Sequence, residues 1–244
     1  MITRVSIVTG ASRGIGMFTA KALAGVFGHH VIVTGRQVAK LEALANTTDG
    51  AMTVAPADLT SEEDRNELYR IAQQCCNSEG HHFFGIVHNA GLLVAKPFDE
   101  LDEQDWTKMW EVNVLGPAML TKTFTKMLGD SLGDGYGKKH LVAISSMGGF
   151  QGSKKFPSLS AYSATKAAIA SLAECWAEEL GSVGVHSNAL CLGAVQTDMF
   201  GEAFPGLTVD IQPEQMGHWI ANFFSEQYTF FNGKVLPVAG HDPG

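Results

Sequence analysis

An α/β fold is what this sequence predicts. Short β-branched runs alternate with longer helical stretches along the chain. A glycine-rich turn, Gly10 to Gly16, stands between the first such run and the first helix. At 244 residues the chain is long enough for one large α/β domain and short for two. No internal repeat or interior linker interrupts it, so residues 1–244 are read as one domain.

Bulk properties narrow the function. Hydrophobic content of 45% and charged content of 17% are those of a globular protein. A net charge of −8 argues against a nucleic-acid binder, which carries a basic stripe. No apolar run approaches the roughly 20 residues needed to span a bilayer. The N-terminus runs directly into a strand, with no signal-peptide pattern. The four cysteines, Cys75, Cys76, Cys175 and Cys191, form no C-x-x-C pair, so reduced thiols in a cytoplasmic protein are expected.

The elements follow in order. Arg4–Thr9 is the first strand. Gly10-Ala11-Ser12-Arg13-Gly14-Ile15-Gly16 breaks it, and a helix runs from Ile15 to about Val26. Strand, glycine turn and helix N-terminus together make backbone N–H groups available to a phosphate, which points to a dinucleotide. His30–Gly35 is the second strand. Where many NAD-binding domains place an acidic residue, this chain has Gly35 followed by Arg36. An arginine can grip a 2′-phosphate that a carboxylate would repel, and Arg13 adds a second positive charge, so NADP(H) is favoured.

A helix over Val38–Ala45 and a strand over Met52–Ala55 lead to Asp58-Leu59. Asp58 either accepts from an adenine amino group or caps the next helix with Thr60 and Ser61. That helix, Ser61 to about Cys76, opens with Glu62, Glu63 and Asp64, which suit its dipole. Phe83–His88 is the fourth strand, ending in Asn89-Ala90-Gly91, small residues that let backbone crowd a cofactor. One long helix is expected from Glu103 to Leu128. Asn113 and Gly116-Pro117 are poor helix interiors and mark a functional kink. Gly129–Lys139 reads as a mobile loop.

His140–Ile144 is the fifth strand and ends at Ser145-Ser146, the strand terminus where open α/β sheets bind ligands. A loop over Met147–Leu159 precedes a helix from Ser160 to near Gly181, with Ser158 or Ser160 as N-cap. Tyr162 and Lys166 lie one turn apart on one face of it. A neighbouring ammonium favours the phenolate, so Lys166 is expected to lower the Tyr162 pKa. Val185–Cys191 is the sixth strand. Gly193–Ile211 is irregular and apolar, a lid over a pocket. Pro213 opens the last helix, and Gly233–Pro237 is the seventh strand.

Taken together, Thr9-Gly10-x-x-x-Gly14-Ile15-Gly16, Asn89-Ala90-Gly91, Asn113, Ser146 and Tyr162-x-x-x-Lys166 resemble the short-chain dehydrogenase/reductase family over nearly the whole chain. The resemblance implies a doubly wound, Rossmann-type fold with seven parallel strands and helices on both faces. It implies nicotinamide-dependent hydride transfer with a catalytic tetrad of Asn113, Ser146, Tyr162 and Lys166. Tyr162 is then the proton donor or acceptor, Lys166 its modulator and a ribose ligand, and Ser146 the partner of the substrate oxygen. Asn113 positions a water that relays protons to Lys166. Cofactor contacts are expected from Gly10, Ser12, Arg13, Gly14, Ile15, Gly16, Arg36, Asp58, Leu59, Asn89, Ala90, Gly91, Tyr162 and Lys166. Thr197 matches the family's threonine on the nicotinamide carboxamide.

Three features depart from the family's pattern. His88 stands where an asparagine is frequent, Leu192 where a proline is usual, and the Ser146–Tyr162 loop is longer, carrying Phe150, Gln151, Lys154, Lys155 and Phe156. The histidine pairs His29-His30 and His81-His82, with His140, fall at the sheet edge away from the cofactor, and no metal site is expected. Strands two and four are set about 10 Å apart, too far for His30 and His81 to share an ion. The 160–181 helix reads as apolar almost all round, so a twin subunit is expected on its outer side, in a homodimer or homotetramer. The reading is an NADP(H)-dependent oxidoreductase acting on a small or medium carbonyl or alcohol. Its alternatives are an NAD-linked alcohol dehydrogenase and a dinucleotide-binding regulatory protein.

Overall fold

The computed structural model describes residues 3–130 and 138–240. The β-branched runs become seven strands: β1 (Thr3–Thr9), β2 (His30–Gly35), β3 (Met52–Pro56), β4 (His81–His88), β5 (Lys139–Ser146), β6 (Val185–Leu192) and β7 (Lys234–Val238). They form one sheet in the order β3-β2-β1-β4-β5-β6-β7, every pair parallel. The helices are α1 (Gly14–Gly25), α2 (Val38–Ala45), α3 (Glu62–Cys76), α4 (Glu103–Trp110), α5 (Gly116–Gly129), α6 (Ser160–Gly181), α7 (Asp198–Ala203) and α8 (Pro213–Glu226).

Alternation along the strands sorts side chains into two layers. Val8, Val31, Val33, Val142 and Leu190 pack with Leu23 of α1, Leu41 of α2, and Ile220 and Phe224 of α8. Ile7, Ile32, Ile86, Leu141 and Ala143 pack with Leu68 of α3, Phe124 of α5, and Ile169 and Trp176 of α6. The sheet is therefore covered on both faces, a doubly wound architecture. Strand order reverses between β1 and β4, and the crevice beyond their carboxyl ends is where such sheets take ligands.

Several elements differ from expectation. The long helix over 103–128 is interrupted. Asp102 starts α4 with a capping box, then Glu111–Leu115 forms a π-helical turn and Gly116 resumes as α5. A π turn inserts an extra residue, which rotates α5 relative to α4 and turns Asn113 inward. In α6 the N-cap is Leu159, with no side-chain cap, in place of Ser158 or Ser160. Leu159 is buried, and Ser158 adopts a left-handed backbone (φ 67°), so neither serine sits where it could cap. The outer side of α6 is small rather than greasy in its first half and polar further on, with Ala164, Ala167, Ser171, Glu174 and Glu178 exposed. Most of the glycine-rich stretch expected as a loop over 129–139 lies outside the described residues; of its ends, Gly129 closes α5 and Lys139 opens β5.

Three of the histidines, His29, His88 and His140, are core residues. His29 meets Ser6 Oγ (2.8 Å) and Ser225 Oγ (3.1 Å). His140 meets the Phe224 carbonyl and Asn188 (3.0 Å each). Burial pulls the pKa of each down to about 3. His30 and His81 come closer than strand spacing suggested, with ring centroids 5.6 Å apart, because both side chains lean over the β1 edge. Among the described residues no group of three or more His, Cys, Asp or Glu side chains is arranged to hold a metal ion. No helix there is long and apolar enough to cross a membrane.

Candidate active site

The crevice is built from a lock between β1 and β4. Thr9 Oγ1 accepts from the backbone N–H groups of Asn89 and Ala90 (3.0 Å each) and donates to the Val87 carbonyl (3.3 Å). The Asn89 side chain donates to the carbonyls of Thr9 (2.9 Å) and Gly10 (3.2 Å). The contact is tight enough to dictate glycine. A Cβ on Gly16 would lie 2.3 Å from Asn89 Nδ2, and one on Gly10 would lie 2.8 Å from Ala90 Cα. Gly10 also has φ +66°. Asn89, expected to touch a cofactor, thus spends its side chain holding the glycine turn in shape.

The opposite wall comes from β5 and α6. Ser146 ends β5, accepts from Gly148 N–H (3.1 Å) and faces Tyr162, whose charged form it favours. Its neighbour Ser145 turns the other way and donates to the Lys166 carbonyl (2.7 Å). Lys166 is buried, donates through Nζ to the Ile144 carbonyl (2.8 Å), and lies 5.6 Å from the Tyr162 ring centroid. Asn113 enters from the π turn. Its amide donates to the Leu92 carbonyl (2.8 Å) and Thr165 Oγ1 (2.9 Å), and its oxygen accepts from Leu92 N–H (2.7 Å). Both amide protons are used, and Oδ1 keeps one lone pair.

The expected lowering of the Tyr162 pKa by Lys166 is not found. Burial pushes the phenol up to about 12, against the pull of the Ser146 hydrogen bond. Burial also draws Lys166 down to about 8. Desolvation penalises both charged forms, and the ammonium is directed at a carbonyl instead of the phenolic oxygen.

One cavity of about 500 Å³ joins these walls. It runs from Arg36 and Asp58 at the β2 and β3 ends, past Gly10, Ser12, Arg13, Gly14 and Ile15, to Gly91, Ser146, Tyr162 and Lys166. Leu59, Asn89, Ala90 and Thr197 also line it, whereas Gly16 and Asn113 stand behind the wall.

A family model described as short chain dehydrogenase matches residues 4–207. The chain belongs to the short chain dehydrogenase family. An uncharacterised oxidoreductase of Staphylococcus aureus strain USA300 is 30% identical over 219 residues, 87% of each chain. Among solved structures, a 3-ketoacyl-(acyl-carrier-protein) reductase from Brucella melitensis complexed with NADH superposes with a TM-score of 0.86 at 23% identity. It covers 99% of this chain and 98% of its own. A short chain dehydrogenase/reductase family protein gives 0.81 at 26%, covering 97% and 96%.

Within this short chain dehydrogenase, other candidates have mixed placements. Arg36 is exposed at the cavity's end and helps hold the Asp58 carboxyl below its usual range, after the larger effect of the Thr60 backbone hydrogen bond. Asp58 accepts from Thr60 N–H (3.0 Å) and Oγ1 (2.8 Å), so one oxygen serves the turn before α3, while Ser61 is the helix cap. Arg13 reaches across to α7, pairing with Asp198 (3.2 Å) and Glu202 (3.5 Å). Thr197 caps α7 by accepting from Phe200 N–H (3.1 Å), and this gives the expected irregular segment a helix. His88 is buried beside Thr121 (3.0 Å), and burial holds it neutral with a pKa of about 3.

Sequence reading missed Thr9 and Thr165 as struts. Thr165 Oγ1 joins Asn113 to the Tyr162 carbonyl (2.8 Å). Their signal was position alone: each sits next to a motif residue and faces inward. Phe156 of the enlarged loop lines the cavity, as do Phe204, Leu207 and Val209 from the segment expected as a lid.

Proposed function

We propose that the chain is an NADP(H)-dependent oxidoreductase that interconverts a carbonyl group and a secondary alcohol on a small or medium substrate. The observation that carries this reading is Tyr162 beside Ser146, with Lys166 Nζ 5.6 Å from its ring, in the same cavity as the glycine turn.

The cavity fits a dinucleotide. Arg13, the N-cap of α1, makes no side-chain capping bond, and the first turn holds no acid. Its N–H groups are therefore left for a phosphate, and the helix dipole favours one there. A Cβ on Gly91 would meet Lys166 Nζ at 3.4 Å, so glycine leaves that ammonium accessible to a ribose. Arg36, without an acid at the end of β2, suits a 2′-phosphate.

When bound, the nicotinamide supplies or accepts the hydride, two electrons with one proton's mass. In reduction Tyr162 gives its phenolic proton to the substrate oxygen as the carbon gains hydride, and in oxidation it takes that proton back. Ser146 donates to the same oxygen as charge develops there. The Lys166 ammonium stabilises the phenolate left behind. Asn113 keeps the Leu92 backbone and the Thr165 hydroxyl in register beneath it. The segment over 193–212 acts as the substrate lid, residues 1–244 as one catalytic domain, and the exposed Trp110 and Leu115 with the small-residue start of α6 as contacts in a homodimer or homotetramer. A cytoplasmic location accords with the four free thiols.

An NAD-linked enzyme is the second reading, favoured by Arg13 being engaged with Asp198 and Glu202. Tyr162→Phe should keep NADPH binding, read by fluorescence titration, and lose at least about a hundredfold in turnover. Arg36→Ala should weaken NADPH and leave NADH unchanged. Turnover surviving in the phenylalanine variant sinks the enzyme assignment, and a wild-type preference for NADH sinks the cofactor assignment.

A further inference from the structure

The end of the cavity beyond Tyr162 has a composition of its own. Its wall includes Leu93, Leu207 and Val209 and three phenylalanines from two separate segments. Phe156 comes from the loop between β5 and α6, and Phe200 and Phe204 come from α7 and its cap. Phe156 meets Phe204 edge to face, with centroids 6.0 Å apart, and Phe204 meets Phe200 at 5.2 Å. All three rings are half-buried, so each keeps part of its surface open.

Charges near this end are already committed. Lys155 donates to the Phe150 carbonyl (2.6 Å) and to Ser153 Oγ (2.8 Å), and neither it nor Lys154 lines the cavity. Lys96 is paired with Asp105 (2.6 Å). Arg13 is held by Asp198 and Glu202, so the rim over this end presents two carboxylates to one guanidinium. Among the described residues lining the cavity, Lys166 is the remaining cation at this end, and it points at the Ile144 carbonyl. A carboxylate on the substrate would find no partner here and would face a rim of its own sign. The overall charge of −8 likewise opposes docking of an acidic carrier protein.

Resting on the carbonyl–alcohol reading above, we propose that the substrate is an uncharged ketone, or its alcohol, bearing an aromatic ring packed against the contiguous Phe156–Phe204–Phe200 surface. Edge-to-face and offset contacts with the exposed parts of these rings fix a flat ring better than a flexible alkyl chain. A ring seated there leaves the adjoining carbonyl oxygen directed toward Ser146 and Tyr162.

The test compares acetophenone, 2-octanone and the benzoylformate anion as substrates for NADPH oxidation, with saturation-transfer NMR of the same three compounds as a binding readout. Acetophenone should lead the other two by about tenfold in kcat/KM. Phe204→Ala and Phe156→Ala should each cut acetophenone by roughly tenfold and 2-octanone by less than about twofold. A preference for benzoylformate or 2-octanone, or equal losses on all substrates, overturns the proposal. Acetophenone that binds in a Phe204-dependent way but is not reduced upholds the ring site and sinks the redox reading. Failure of acetophenone to bind sinks the ring site itself.

Discussion

Tyr162 and Lys166 sit in a setting where burial opposes charge on both. With its pKa pushed to about 12, Tyr162 stays protonated through the physiological range and is ready to act as an acid. Lys166, drawn to about 8, is charged below that pH and neutral above it. On the proposed roles, in which the ammonium stabilises the phenolate formed in reduction, carbonyl reduction should be level below about pH 8 and fall as pH rises through it. A rate profile that is flat from pH 6 to 9.5 would remove Lys166 from that role. The identity of the pair was legible in the sequence, because four-residue spacing on a helix is a local property. Its electrostatics were not, because the depth of burial and the Ile144 carbonyl come from β5, far off in the chain. Ser146 was singled out over Ser145 by the family resemblance; strand alternation then turns Ser145 to the Lys166 carbonyl and Ser146 to the Gly148 side of the crevice.

Between elements, the bridge from the glycine turn to α7 has a measurable consequence. Arg13 cannot pair fully with Asp198 and Glu202 and with a 2′-phosphate at once. The double variant Asp198→Asn, Glu202→Gln should therefore tighten NADPH by about threefold, the scale of an exposed ion pair, and leave NADH unchanged. The gain should shrink in high salt. Equal effects on the two cofactors would show that the bridge governs the lid alone. No sequence pattern announces this bridge, since its partners are 185 residues apart. The π turn is a partial case. Asn113 and Gly116-Pro117 announced that the helix breaks, but the way it breaks depends on Leu92 and Thr165 capturing the asparagine. The six strand-helix units were largely legible because each repeats a local pattern of apolar run, turn and helix.

At the scale of the whole molecule, His29, His88 and His140 are kept neutral in the core, each with a pKa of about 3 against an ordinary value of 6.5. Below about pH 6.5 the unfolded chain takes up protons at these sites and the folded chain does not, so stability falls as pH falls. Three such groups give a slope of up to ~4 kcal/mol per pH unit. Urea midpoints should drop steeply between pH 7 and 5, and His88→Asn should make the slope shallower by about a third. Equal stability at both pH values would contradict the buried neutral state. The strand neighbours of these histidines were readable from the sequence, but their partners were not, since Ser225 and Phe224 lie on the last helix.

That last helix completes the first. Gly217 of α8 lies so close to α1 that a Cβ there would be 2.7 Å from Phe18 Cβ, and Arg4 and His29 both bond to Ser225. During synthesis the first strand–helix unit therefore emerges from the ribosome with one side uncovered, and it stays so until some 200 further residues have been made. Its apolar face is a natural client for a chaperone throughout that interval, because the first corner of the core to be made is among the last to be sealed.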